Sequence, residues 1–374
     1  MKILHCPTDV GGHPWGLSRA EREIGLDSRT MVFKTSRFRM GTDIDLDLDS
    51  VLFPVRLWTR WKFFRAALAE YDVFHFNFGT SILDARWLGL HHLDLPVLRR
   101  ARKAVVVTYQ GCDARMKLAS RRMFETTACH ECTNTRCNGL LDRLRGARIA
   151  KVQRFAQRHF VLNPDLIHHA PQATFLPYAA LDPREWMPLP PSPAGGTLRV
   201  VHSPTDRSIK GTHYVVEAVE RLQREGLPLE LVLVEGKTRE EARRIYEAGD
   251  IFVDQVLVGW YGGFAVEAMA LARPVLCYIR ESDLRFVPPA MAADLPVVRT
   301  TPATLADDLR RLALDPALRA EFGARGRAFV ETHHDPRTIA TAMARVYAEA
   351  LAEVRGKRPG ASLTTAGAGA SRLK

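Results

Sequence analysis

Residues 251–279, IFVDQVLVGWYGGFAVEAMALARPVLCYI, combine two kinds of local pattern. The stretch opens with a short run of apolar, β-branched residues and passes through Gly262 and Gly263 into an apolar helical run at 263–271. It then returns, after Pro274, to a second β-branched run. Strand, helix and strand in this order make a crossover unit, whose two strands are parallel. The stretch therefore predicts a parallel sheet covered by helices.

The same alternation occurs on both sides of a proline-rich segment. Strand candidates in the first half are MKILHCP, SRTMVFK, DVFHFNF, KAVVVTYQ and RHFVLN, and in the second half LRVVHSP, LELVLVEG, DIFVDQ, RPVLCYI and LPVVR. Helices are predicted at 212–225, 238–248, 263–271 and 302–314. The proline-rich segment 181–197 stops both helices and central strands, because proline removes backbone donors and fixes φ.

These patterns predict an α/β protein with two Rossmann-like domains, residues 1–180 and 198–335, whose parallel sheets face a central cleft. A chain of 374 residues with 46% apolar composition is long enough for two cores. Residues 181–197 are the predicted linker and residues 336–354 a closing helix. Residues 355–374 lack apolar periodicity and are predicted to be a disordered basic tail.

The positive charge is concentrated in the first half. The chain carries a net charge of +11, and residues 1–180 hold 27 Lys and Arg against 17 Asp and Glu. Such a surplus favours an anionic partner, namely lipid headgroups, a phosphorylated acceptor or nucleic acid, although an arginine-rich composition without functional meaning explains it equally well. No signal peptide and no membrane-spanning run is visible, so we expect a cytoplasmic protein that lies, at most, against the inner face of a membrane.

Two loops that follow predicted strands carry features suited to phosphate. Gly11 and Gly12 come directly after the first strand and allow close backbone approach, though a tight turn would also explain them. Arg207 and Lys210 precede a predicted helix, where two cations and a helix N-terminus suit a diphosphate, against the alternative of a solvated turn.

Glu267 is the single acid of residues 259–279. With the helix beginning near Phe264, the carboxylate is predicted in the first helical turn, where the helix dipole alone would stabilise it by roughly 0.3–1 kcal/mol. Its neighbours are almost all apolar, so a buried carboxylate there needs partners. The two adjacent hydroxyls of a sugar would be suitable donors.

Taken in order, the glycine-containing first loop, SPTDRSIKG, LVLVEG, AGDIFVDQ and GGFAVEAMALARPVL resemble the GT-B glycosyltransferases, in particular the large retaining family 4. The resemblance covers most of 1–354 and is strongest over 199–279. It implies that the first loop lies near the donor phosphates, that an Arg/Lys pair holds the diphosphate, and that Glu267 binds the nucleotide ribose. Residues expected at the donor are Glu267, Gly262, Gly263, Phe264, Gly11, Gly12 and Gln110, and expected in catalysis are Lys210, Arg207 and Asp113.

The chain departs from that family at two positions. Gly259 stands where the family carries the first glutamate of its Glu-x7-Glu motif, and Gln110 replaces the histidine of Thr-x-His-Gly-x-Asp, while Thr108, Gly111 and Asp113 fit. Such retaining enzymes are described as front-face catalysts, in which the departing diphosphate helps to deprotonate the acceptor. Catalysis then depends on stabilising leaving-group charge, for which Lys210, Arg207 and the Gly262–Gly263 helix start suffice. We therefore expect an active transferase with altered specificity.

Four of the six cysteines, Cys112, Cys129, Cys132 and Cys137, fall within residues 112–137, which we call the cysteine insertion. Four thiolates suit a tetrahedral structural zinc, and His130 could replace one cysteine. The irregular spacing leaves free thiols or a redox pair equally open. The insertion is not part of the ordinary glycosyltransferase pattern and is expected to shape the acceptor pocket.

The stretch VRLWTRWKFFRAALAEYD, residues 55–72, mixes aromatic and basic side chains. This composition suits a helix lying in a membrane interface, but aromatic residues at helical spacing are more often core, and we favour core.

The leading hypothesis is a retaining glycosyltransferase that moves a sugar from a nucleotide-sugar donor to a glycan or lipid-linked acceptor in surface polysaccharide assembly. It needs no cofactor for catalysis. The alternatives are a nonhydrolysing nucleotide-sugar epimerase and a catalytically silent protein that binds nucleotide-sugars or other anions. Nucleic acid is not an expected partner, since no zinc-finger histidine pair or Arg/Lys repeat is present.

Overall fold

The computed structural model describes residues 1–36, 38, 40–84, 90–191 and 195–356. Over these residues the chain is an α/β protein with two parallel sheets, one of seven strands and one of five. Each sheet is covered by helices, as in a Rossmann-like domain, and the predicted fold class is confirmed.

The first sheet has the order β3-β2-β1-β4-β5-β6-β7. Its strands are β1 (Lys2–Cys6), β2 (Asp27–Val32), β3 (Ile44–Asp45), β4 (Val73–Asn77), β5 (Ala104–Tyr109), β6 (Arg158–Val161) and β7 (Thr174–Phe175). Its helices are α1 (His13–Glu23), α2 (Phe53–Glu70), α3 (Leu95–Arg100), α4 (Lys117–Met123), α5 (Ala128–Glu131) and α6 (Gly139–Phe155).

The second sheet has the order β12-β11-β10-β8-β9. Its strands are β8 (Leu198–His202), β9 (Leu229–Leu233), β10 (Ile251–Val253), β11 (Val275–Cys277) and β12 (Val298–Arg299). The helices of this half are α7 (Arg207–Lys210), α8 (Thr212–Arg224), α9 (Arg239–Tyr246), α10 (Gly263–Ala270), α11 (Pro289–Asp294), α12 (Leu305–Leu314), α13 (Pro316–His333) and α14 (Pro336–Val354).

The central strands are buried along their whole length because helices cover both faces of each sheet. Every residue of β4, β5 and β10 is buried. All ten predicted strands form, and the two-residue strands β3 and β7 are additional. The carboxyl ends of the parallel strands in each sheet bring the following loops to one edge, where ligands of such sheets bind.

Helix α14 returns to the first sheet after the second has been completed. Its apolar residues share a core with Ile3 and Val106 of the first half. The hydroxyl of Tyr347 donates to the buried carboxylate of Glu21 at 2.9 Å and lies 2.8 Å from Nδ1 of His75. The closing helix therefore ties the chain end to the first domain.

The segment between the sheets packs along the second domain. Leu189 donates its backbone N–H to the carbonyl of Leu271, and the Arg273 guanidinium donates to the carbonyl of Pro190. Residues 192–194 of the predicted linker, with Pro193, and residues 357–374 of the predicted tail lie outside the described residues.

Helix α2 presents two tryptophans to solvent, so the preference for a core role was wrong for them. The exposed fractions of Trp58 and Trp61 are 61% and 40%, and their rings stack at 4.9 Å. Phe64 and Ala67, on the other side of the helix, are buried and hold it to the domain. In the described part of the chain, no helix is both long and apolar enough to cross a bilayer.

Candidate active site

Lys210 and Asp254 form a mostly buried ion pair at the edge of the second sheet. Lys210 ends α7, Asp254 follows β10 directly, and Nζ lies 3.0 Å from the carboxylate Oδ1. The other carboxylate oxygen accepts the backbone N–H of Gly262. A Cβ on Gly262 would stand 3.2 Å from the Lys210 Nζ, so any larger residue would have to displace the ammonium by a few tenths of an ångström. We call Lys210, Asp254 and Gly262 the α10 corner.

Helix α10 starts at this corner without a capping side chain. Gly262 is its N-cap and makes no side-chain capping bond, and the space beside Gly263 is open. The first-turn N–H groups and the positive end of the helix dipole therefore face outward beside the Lys210 ammonium. Together these groups can bind an anion.

Glu267 lies one turn further along α10. The helix begins at Gly263, so the predicted place in the first turn is wrong, and no acid occupies that turn. Gly263 and Glu267 are four residues apart and thus share a helix face. Glu267 therefore lies on the same helix face as the open start of α10, one turn away from the N–H groups that can bind an anion.

Arg239, which sequence reasoning missed, is the partner of Glu267. Its Nε donates to the carboxylate at 3.2 Å, and its Nη2 donates to the carbonyl of Ala180 in the first half at 3.0 Å. Burial raises the pKa of Glu267 and the neighbouring Arg239 acts in the opposite direction. The carboxylate retains a free oxygen and a side chain 16% exposed, so it can accept a ligand hydroxyl.

In the described part of the chain, the Arg207 side chain makes no hydrogen bond or ion pair to the α10 corner. It makes a two-point pair with Glu235, with Nε 2.9 Å from Oε1, and its side chain is 61% exposed. Phe264 packs its ring against Tyr246 at 5.1 Å and Phe252 at 5.6 Å. Its side chain is therefore a packing contact, while its backbone belongs to the open helix start.

Gln110 and Asp113 are both held in the loop after β5. The Asp113 carboxylate accepts the N–H of Gly111 at 2.6 Å and that of Gln110 at 3.2 Å, and burial raises its pKa. The Gln110 amide donates to the Asn77 side chain at 3.3 Å. Asp113 therefore holds the backbone of this loop, and Gln110 lies directly after β5 at the edge of the first sheet.

A short chain of polar contacts leads from that loop to Tyr178, which lies within electrostatic reach of Asp254 in the α10 corner. The Asn163 amide donates to the Gln110 carbonyl at 2.7 Å, and the Tyr178 hydroxyl donates to Asn163 at 3.4 Å. Burial and the nearby Asp254 carboxylate raise the pKa of Tyr178. Residues of both halves therefore meet around Tyr178, which the sequence analysis had not singled out.

The glycine loop lies near Arg239, the partner of Glu267. Gly11 and Gly12 adopt φ values of 64° and 72°, and Gly12 caps α1. Asp9 beside them accepts the Trp15 backbone N–H, and burial raises its pKa to about 6 while Arg239 opposes that shift. The loop thus lies within electrostatic reach of the Arg239–Glu267 pair.

A guanidinium fills the space beside Gly259, the position at which the family described above carries a glutamate. Gly259 adopts a φ of 95°, and a Cβ there would stand 2.8 Å from Arg280 Nη1. Arg280 pairs with Asp283 at 3.0 Å, donates to the Thr126 carbonyl at 2.8 Å and lies 3.7 Å over the Phe124 ring. Arg280 therefore occupies the space beside Gly259, and it contacts Phe124 and Thr126, which precede α5 in the chain.

The four cysteines of the insertion line one small cavity together with Arg115, Lys117 and Arg145. All four are free thiols, and burial raises the pKa of Cys112 and Cys129. His130 is exposed and its Nε2 lies 3.2 Å from the Phe124 carbonyl. Among the residues that the structure describes, no group of three or more His, Cys, Asp or Glu is already arranged to hold a metal ion.

Comparison with known proteins gives structural matches only. No family model and no curated protein matches the chain. Sucrose-phosphate synthase from Thermosynechococcus elongatus superposes with a TM-score of 0.63 at 18% identity, over 94% of this chain and 100% of that chain. The Anabaena protein HepE in complex with UDP-glucose gives a TM-score of 0.61 at 14% identity, over 93% and 100%.

A third match is a putative UDP-N-acetylglucosamine 2-epimerase from Listeria monocytogenes. It gives a TM-score of 0.53 at 12% identity, over 94% of this chain and 97% of that chain. At such identities these likenesses show the fold alone, which is the two-domain GT-B fold.

Proposed function

We propose that the protein is a nucleotide-sugar-dependent glycosyltransferase. The observation that carries the proposal is the α10 corner, where Lys210 stands beside an open helix N-terminus one turn from Glu267. A cation and free N–H groups suit a diphosphate, and a carboxylate at this spacing suits the hydroxyls of a ribose. The position of these residues in loops that follow strands of the second sheet supports the proposal, since ligands of open α/β sheets bind at the carboxyl ends of the strands.

In the proposed reaction, the bond between the sugar anomeric carbon and the diphosphate oxygen breaks, and an acceptor hydroxyl forms the new bond. Negative charge grows on the leaving diphosphate. Lys210 and the first-turn N–H groups of α10 stabilise that charge, since both are positioned before the donor arrives. The hydroxyl proton passes to the departing diphosphate on the same face, which preserves the anomeric configuration.

Asp254 serves as a positioning residue in this scheme. It holds the Lys210 ammonium and the Gly262 N–H with its two oxygens. A flexible lysine would otherwise have to be ordered when the donor binds, at a cost in side-chain entropy. Arg207, at the other end of α7, can exchange Glu235 for a donor phosphate because it is exposed.

The acceptor is proposed to bind on the first domain, beside Gln110 and Asn77 at the opposite side of the cleft. An acceptor carried on a lipid would fit helix α2, whose residues Trp58, Trp61, Lys62 and Arg65 share one face at helical spacing; we call these four the α2 face. Exposed aromatic and basic side chains on one face suit the headgroup region of an anionic membrane. Lipid-linked acceptors of this kind occur in surface polysaccharide assembly.

Proton NMR of donor mixtures tests this function. A transferase converts a nucleotide-sugar only when an acceptor, or water at a slow rate, receives the sugar, and the product keeps the anomeric configuration of the donor. An epimerase would generate a new nucleotide-sugar without any acceptor. Binding of the donor without any turnover across a panel of acceptors would point to a silent binding protein. Either of these two outcomes contradicts the proposal.

A further inference from the structure

The cysteine insertion closes around a cavity lined with sulfur. Cys112 comes from the loop after β5, Cys129 lies in the short helix α5, Cys132 follows that helix directly, and Cys137 lies just before α6. Three chain segments that are separate in sequence thus bring four thiols to one place. The cavity measures about 20 Å³, which is room for roughly one water-sized body.

Buried cations surround these thiols. Arg145 Nη2 donates to the Cys137 sulfur at 3.6 Å, and Arg115 Nη1 donates to the Cys112 sulfur at 3.9 Å. Lys117 lines the same cavity and donates to the Cys132 carbonyl at 2.9 Å. Arg115 also pairs with the carboxylate of Asp165 at 2.7 Å and Arg145 with that of Asp142 at 3.6 Å, so both guanidinium groups are held in place beside the sulfurs.

We propose that Cys112, Cys129, Cys132 and Cys137 bind one zinc ion through four thiolates. A tetrathiolate zinc centre carries two negative charges, and it would lie beside Lys117 and beside Arg115 and Arg145, which also pair with carboxylates. The cavity suits a single ion better than a cluster of several irons and sulfides. In the described part of the chain the thiols are not already arranged around one point, so the ion would have to draw them closer together.

The site has a structural consequence at the interface between the two domains. Ala128 in α5 donates its N–H to the Leu257 carbonyl at 2.9 Å, and the Tyr214 hydroxyl donates to Glu131 at 2.7 Å. Ile209 of α7, next to Lys210, lines the same cavity. Zinc binding would therefore fix the insertion against the second domain, and this holds whether or not the proposed transfer reaction is correct.

Elemental analysis of the full chain, purified without added metal, tests the site. We expect about one zinc per chain, and at least a tenfold loss of zinc in Cys129→Ser and in Cys132→Ser. Cys277→Ser, a buried cysteine in β11 outside the insertion, is the matched control and should retain its zinc. Metal-free wild-type protein, or iron with sulfide in place of zinc, would overturn the assignment.

A second measurement uses only the wild-type chain and so avoids variants that fail to fold. The thiols of Cys132 and Cys137 should react slowly with a thiol reagent, and rapidly once a chelator has removed the zinc. Fast reaction without chelator, or an intact mass lowered by a disulfide, contradicts the proposal. Arg145→Gln should weaken zinc affinity by about 10–100-fold, while Arg145→Lys should recover part of it.

Discussion

The Lys210 ammonium lies 3.0 Å from the carboxylate of Asp254, which is almost completely buried and also accepts the Gly262 N–H. The pair holds a cation at the start of helix α10 without leaving a net charge there. Its geometry connects strand β10, helix α7 and helix α10 at one point. Function and stability at this corner can be separated, because a double variant that removes both charges leaves no unpaired charge but still lacks the cation.

Lys210→Met should reduce the transfer rate by about 10²–10³-fold, because the leaving diphosphate loses its preformed cation. The same change leaves Asp254 buried without a counter-ion and should cost about 3–5 kcal/mol of unfolding free energy. Adding Asp254→Asn should restore stability but not activity. Urea unfolding and initial rates check both parts, and recovery of activity in the double variant would contradict the assigned role.

Glu267→Gln should weaken the binding of the free nucleoside diphosphate and of its sugar derivative equally, by about 10–100-fold. A charge-assisted hydrogen bond to the ribose contributes roughly 1.5–3 kcal/mol to either affinity. Isothermal titration calorimetry measures both affinities. Glu247→Gln, a surface carboxylate paired with Arg243, is the control and should leave both unchanged. A loss confined to the sugar-bearing ligand would argue against ribose binding.

The fold was predictable because its signals are local. Strands such as β5 and β10 are short, mostly apolar runs rich in β-branched residues, and Pro188 and Pro190 stand between the two sheets. The two-residue strands β3 and β7 carry no such signal, since their pairing depends on the neighbouring strands already being in place. The open start of α10 was likewise visible as a glycine pair before a helical run.

The site was predictable only in part, because several of its contacts join residues distant in sequence. Arg239 reaches Glu267 from another helix, and Arg280 occupies the space beside Gly259 from the loop after β11. Asp254 was the exception, since an acid directly after a predicted strand is a local signal that could have been used. The exposure of Trp58 depends on what α2 packs against, which its own periodicity does not reveal.

The stability of the junction between the domains should depend on pH through His334. Its Nδ1 lies 2.9 Å from the Tyr178 carbonyl and its Nε2 lies 2.9 Å from the Tyr261 hydroxyl, an arrangement that suits the neutral ring. Burial lowers the pKa of His334 to about 4. The unfolded chain binds the proton near pH 6.5, so protonation favours unfolding as the pH falls from about 6.5 to 4.

His334→Gln removes this proton-binding site. As the pH falls from about 6.5 to 4, the wild type should therefore lose about 3 kcal/mol of unfolding free energy relative to the variant. Above pH 7 the difference in unfolding free energy between the two proteins should be constant. Chemical unfolding at a series of pH values measures the difference. A pH-independent difference would show that His334 does not resist protonation in the folded state.

The α2 face should bind vesicles that contain anionic phospholipid. Trp58→Glu and Trp61→Glu should each reduce flotation with such vesicles, and added salt should weaken binding because Lys62 and Arg65 contribute electrostatic attraction. Leu314→Glu, at a 67% exposed leucine on α12, is the matched control. Equal flotation of all four proteins would exclude α2 as the docking face.

A thermal-shift screen of the wild-type chain against UDP-, GDP-, ADP- and dTDP-sugars tests the central claim most directly. Since a ligand that binds only the folded state raises the melting temperature, at least one donor should stabilise the protein at saturating concentration. The stabilisation should be lost in Glu267→Ala and retained in Glu247→Gln. If no nucleotide-sugar changes the melting temperature, the α10 corner is not a donor site and the proposed transfer reaction is wrong.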